Sequence, residues 1–178
     1  MNDTLHDGER AAQHRFGMAA AGEAMSRMLR PQLTPGMMRF IEAQPFFFIA
    51  TSGADGSCDC SFRGRQHRAP LPPDPALAVL DERTIVFPDY QGNNLYNSIG
   101  NILVNPHIGL LFVDFSKPAR LRVNGRAELM DDVSAFRSLW PDAKACVRVS
   151  VVQAFPNCSQ RIPVLVPRDL PPTEETTP

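Results

Sequence analysis

The chain has no long apolar run: its 178 residues nowhere hold the ~18 consecutive apolar side chains of a membrane span, so no membrane role is expected. Cysteine is scarce, four in all, which excludes a disulfide scaffold and makes a reducing cytoplasm the default setting. Excess charge is missing too. A net charge of -1 argues against nucleic acid or an acidic membrane as partner. The opening MNDTLHDGER lacks the apolar segment of a secretory signal. No Ser/His/Asp order, Gly-x-Ser-x-Gly elbow or phosphate-loop lysine occurs, so no residue is assigned a catalytic role. Cys58 and Cys60 lack a second cysteine knuckle, and with Cys146 and Cys158 they suggest packing or reversible redox before zinc. No metal site is assigned.

Proline is abundant. Seventeen are present, many of them within 70–75 and from 156 to the end, which marks loop or extended coil. The length suits one domain with terminal arms: a helical arm over 1–43, a β domain over 44–163 and a flexible proline-rich tail over 164–178. Residues 1–12 read as a loose polar stretch, 11–30 as a helix ended by Pro31, and 35–43 as a helix capped by Thr34. Strands are expected at 46–51, 57–63, 76–80, 83–87, 108–115, 120–129 and 145–155. Between them, 64–75 reads as a basic loop, 94–105 as a helix closed by Pro106, and Asp131-Asp132 as the start of a short helix near Trp140. Seven mostly consecutive strands with few helices predict a closed or half-closed antiparallel barrel, a mainly β fold.

The stretch FPDYQGNNLYNSIGNILVNPHIGLLFVDFSKPARLRVNGRAE, residues 87–128, is the most informative. Gly92, Asn93 and Asn94 precede the apolar positions Leu95, Ile99, Ile102 and Leu103. A helix opening there leaves backbone N–H groups unpaired beside a partial positive charge, a ready place for a phosphate. On its own, such a cluster is more often a capped helix than a ligand site.

The segments FFFIATSGADGSCDCSFRG, LDERTIVFPDYQGNN, NSIGNILVNPHIGLLFVDF and RLRVNGRAE tip that balance. They resemble the FMN-binding split-barrel proteins of the pyridoxamine 5'-phosphate oxidase-like family, over about 45–128 and again weakly over 155–163. The resemblance implies a homodimer with FMN in a groove between subunits, and an FMN-dependent oxidoreductase acting on a small molecule. It implies that the phosphate lies near Asn93, Asn94, Asn97 and Ser98, and that the rest of the flavin lies along the strands bearing Val79, Phe87 and Pro88. This turn has amides and a hydroxyl where the oxidase has a basic pair. Charge for the phosphate is therefore sought from Arg63, Arg65 and Arg68 on the basic loop, or Arg120 and Arg122, with Arg63 and Arg122 taken as site residues. The alternative is a non-catalytic carrier of flavin, deazaflavin or haem, for which His107 is noted. Tyr90 and Trp140 are aromatic surfaces a flavin could stack on, although core or rim packing is their commoner role.

Overall fold

The computed structural model describes residues 5–165. Seven strands carry it: β1 (Phe46–Ser52), β2 (Cys58–Gly64), β3 (Ala78–Asp81), β4 (Thr84–Asp89), β5 (His107–Asp114), β6 (Ala119–Met130) and β7 (Ala145–Asn157). All pair antiparallel in one sheet, in the order β2-β1-β5-β6-β7-β4-β3. The ladder is not closed, because β2 and β3 remain edges. The expected barrel is thus a split one.

Alternation decides which side chains go inside. On β7, Val147, Val149 and Val151 are buried while Arg148, Ser150 and Val152 are exposed. On β6, Leu121, Val123 and Ala127 are buried while Arg122 and Arg126 point out. The inner faces meet in one apolar cluster that includes Phe47, Ile49, Ile85, Phe87, Phe112 and Val149. β4 is buried along its whole length. Its second face packs Val86 beneath Trp140, Phe136, Val133 and Cys146 in a smaller cluster. Gly125 sits at a register shift between β6 and β7, where an added Cβ would lie 2.5 Å from the Ser150 carbonyl oxygen. Only glycine fits that approach.

Four helices complete the chain: α1 (Asp7–Arg15), α2 (Ala19–Ser26), α3 (Pro35–Ala43) and α4 (Asn97–Val104). The single helix expected over 11–30 is two, broken at Gly17, whose φ of 68° no right-handed helix contains. The polar stretch before it is also helical from Asp7, because His6 and Glu9 form a reciprocal cap. Neither α1 nor α2 buries a residue. α3 begins as expected, with the Thr34 hydroxyl accepting from the Met37 N–H at 3.3 Å. After Asp132 the expected helix is one 3-10 turn, Ser134–Phe136. Of the proline-rich tail, residues 166–178 lie outside the described residues.

Candidate functional site

α4 is the element that builds the site. Ile99 and Ile102 bury its apolar side in the core. Its polar side is tied to β1, where Asn101 Nδ2 donates to Thr51 Oγ1 at 3.1 Å and Asn105 Nδ2 donates to Ser52 Oγ at 2.9 Å. The helix starts at Asn97, three residues later than expected, because Asn94 (φ 63°) and Tyr96 (φ 54°) are left-handed. Asparagine tolerates that conformation, and the tight turn it makes ends the loop abruptly at the helix. No side chain caps α4. Its first intrahelical bond runs from the Gly100 N–H to the Tyr96 carbonyl at 2.7 Å, so the N–H groups of Asn97, Ser98 and Ile99 have no helical acceptor.

Those three residues line a pocket of about 400 Å³ with Asn93 and Asn94. The Asn93 side-chain oxygen accepts from the Leu95 N–H at 3.0 Å, and Asn94 Oδ1 accepts from Gln91 Nε2 at 2.6 Å. Both amides shape the turn through oxygen, and their NH2 groups keep their donor capacity. The opposite wall is β2. Its partners Thr51, Ile49 and Phe47 are buried, so Asp59, Ser61 and Arg63 share the inner face and line the same pocket.

Two carboxylates enter this pocket. Asp89, 7% exposed, accepts from Arg63 Nη1 at 3.0 Å, a contact that draws the edge strand β2 toward the end of β4. Phe87 supports the guanidinium from below, with its ring centre 6.0 Å away. The Arg63 Nε is buried and has no partner. Asp59 Oδ2 accepts from the Ser98 hydroxyl at 3.0 Å, at the mouth of α4.

Tyr90 lines the pocket on the side of the basic loop, and its hydroxyl is buried without a partner. Burial, reinforced by the Asp74 carboxylate, pushes its pKa up to about 12. Because the folded value lies above the ordinary tyrosine value of 10.0, the stability linked to this phenol is intact below pH 10. It is then lost as pH rises toward 12. Tyr90→Phe is expected to remove that alkaline loss, measured as urea unfolding at pH 9 and pH 11. An unchanged alkaline slope would locate the loss elsewhere.

The structure therefore brings together Arg63, Asn93, Asn94, Asn97 and Ser98, and the other expected site residues do not line that pocket. Phe87 is fully buried in the core, and its ring meets Phe47 edge-on at 5.4 Å. Val79 packs against that same core. Pro88 alternates with Phe87 and lies on the other face of β4, beside Cys146 on β7. Arg122 projects from the outer face of β6, with its guanidinium 6.0 Å from the Phe155 ring, in a separate groove bordered by α2. Arg68 is held by Asp74 at 2.6 Å. Trp140 is 0% exposed and no part of the pocket. Asp59, Ser61 and Asp89 were not expected at the site. The alternation of CDCSFR groups Asp59, Ser61 and Arg63 on one face, and only pairing with β1 reveals that this face is the inner one.

The sequence profile of the pyridoxamine 5'-phosphate oxidase family matches residues 33–164. The chain belongs to that family. No curated protein matches it. Among solved structures, HupZ of Group A Streptococcus is similar with a TM-score of 0.53 at 20% identity, covering 70% of this chain and 93% of that one. An FMN-binding protein from Syntrophomonas wolfei is similar with a TM-score of 0.51 at 12% identity, covering 84% and 96%. Such likenesses establish the split-barrel fold.

Proposed function

We propose that the protein is an FMN-dependent oxidoreductase acting on a small molecule, with the FMN phosphate at the N-terminus of α4. One observation carries this reading. Three helical N–H groups without acceptors, the amides of Asn93, Asn94 and Asn97, and an arginine with a buried unpartnered Nε converge on one pocket. That donor set fits a phosphate. Family membership and the likeness to an FMN-binding protein support flavin as the group that bears it. Bound flavin would supply the hydride or electron transfer. The residues of the chain bind, orient and shield it, so the reading needs no nucleophile of the protein's own.

The reading includes a homodimer with flavin between subunits. Its support is a row across the outer sheet face, Phe62–Phe48–Leu111–Arg122–Phe155, made by direct cross-strand partners. Phe46 and Phe115 stack beside it with ring centres 6.2 Å apart, and Phe62 is 59% exposed. Apolar faces of this kind commonly mark association surfaces. Among the described residues no helix is long and apolar enough to cross a membrane. A cytoplasmic location is part of the same proposal.

Titration with FMN tests the reading, followed by flavin absorbance and fluorescence. Saturable quenching, then bleaching by a nicotinamide donor and recovery with an acceptor, is the expected result. No spectral change on adding FMN would end it. Asn97→Ala is expected to weaken FMN by about 1–3 kcal/mol, the scale of a hydrogen bond to a charged group, and to leave riboflavin unaffected. The second reading is a carrier of flavin, deazaflavin or haem, favoured by the two carboxylates in the pocket. Bound flavin that resists reduction would select it.

A further inference from the structure

We propose that Asp59 sets the preference of this pocket between phosphorylated and unphosphorylated flavins, by holding its own carboxylate where the phosphate would dock. The inference rests on the flavin reading above and concerns which flavin the site favours.

The N-terminus of α4 favours a negative charge. In this structure the group that meets it is Asp59, whose Oδ2 accepts from the hydroxyl of Ser98, the second residue of the helix, at 3.0 Å. Ser98 is 5% exposed, so its hydroxyl is committed to this small space. Strand geometry fixes Asp59 there: it pairs with Thr51 on β1, and its side chain shares the inner face with Ser61 and Arg63.

Charge balance makes the position consequential. Arg63 is the arginine lining the pocket, and Asp89 already neutralises it at 3.0 Å. Among the described residues no ion pair reaches Asp59. The lining thus carries two carboxylates and one guanidinium, a net charge of -1 by formal count (+1 - 2). A phosphate entering beside α4 meets that carboxylate and competes with it for the Ser98 hydroxyl. Riboflavin has no phosphate and meets neither penalty. Asp59 therefore narrows the advantage of FMN over riboflavin.

The test is the ratio of FMN to riboflavin affinity in the wild type and in Asp59→Asn, read by flavin fluorescence quenching. Asparagine keeps the size of the side chain and an acceptor for Ser98 while removing the charge. The ratio is expected to rise about tenfold, the scale of one screened charge contact at a partly open site. The gain should shrink at high salt, because the repulsion it relieves is electrostatic. Asp59→Ala is expected to raise the ratio in the same direction. Both flavins binding with an unchanged or lowered ratio in both variants would overturn the role of Asp59 and leave the flavin reading standing. A tenfold rise that salt does not touch would equally overturn it, since a packing effect has no such dependence. Failure of every variant to bind either flavin would overturn the flavin reading, and this inference with it.

Discussion

Arg63→Ala is expected to cost the protein about 3 kcal/mol of stability and to weaken FMN binding on the order of 100-fold. The first effect comes from Asp89. Its carboxylate is 7% exposed and accepts from Arg63 at 3.0 Å, so truncation strands a negative charge in the barrel mouth. Removing one member of a buried pair costs about 3–5 kcal/mol, and the low end applies because the Arg63 side chain is one-fifth exposed (20%). The second effect comes from the loss of the guanidinium that lines the pocket, with its unpartnered Nε.

The two effects separate in a double variant. Arg63→Met with Asp89→Asn removes both charges and keeps similar volumes, so urea unfolding is expected to recover most of the lost stability. FMN binding is expected to remain weak, because the guanidinium is still missing. Wild-type affinity in the double variant would show that the phosphate takes its charge from another residue. Arg120 and Arg122 on the outer face would then become the candidates, reached through a partner subunit.

Much of the fold was legible because strand patterns are local. FFFIAT on β1 and the alternation of Val147, Val149 and Val151 on β7 identify their elements without reference to anything distant. The segments between 45 and 128 were enough to suggest the family, whose profile covers 33–164. Helix boundaries were less legible. Gly17 looked like one more small residue in a helical run until its positive φ divided α1 from α2. His6 is an unusual cap, so the start of α1 carried no familiar serine, threonine or aspartate signal. The place of Asn93 and Asn94 in the pocket lining was legible because the amides sit next to the helix that follows them. Asp89 was missed as a site residue because its partner is 26 positions away. Arg122 and Pro88 lie outside this pocket for one reason. Each lies one residue from a core position, Val123 and Phe87, and alternation turns it to the other face of its strand.

Trp140→Ala carries the largest expected loss of stability, about 3–5 kcal/mol for emptying a fully buried tryptophan site. At a domain of this size that corresponds to roughly 10 °C in melting temperature, read by far-ultraviolet circular dichroism because the chain's single tryptophan is gone. The site is at 0% exposure, with Phe136 packed 5.7 Å away between ring centres and Val86 of β4 beneath. The indole N–H also donates to the Pro75 carbonyl at 2.7 Å, which pins the end of the basic loop 64–75. Trp140→Phe separates the two contributions: it keeps most of the packing, loses the donor, and is expected to cost about 1–3 kcal/mol for the carbonyl left without its partner. FMN affinity in Trp140→Phe is expected to stay within about twofold of the wild type, since Trp140 lies outside the pocket and a shift of that size is below half a kcal/mol. A tenfold loss of affinity in this variant would mean that the loop pinned by Trp140 closes over the flavin. The ligand site would then extend from α4 to Arg68 and Asp74.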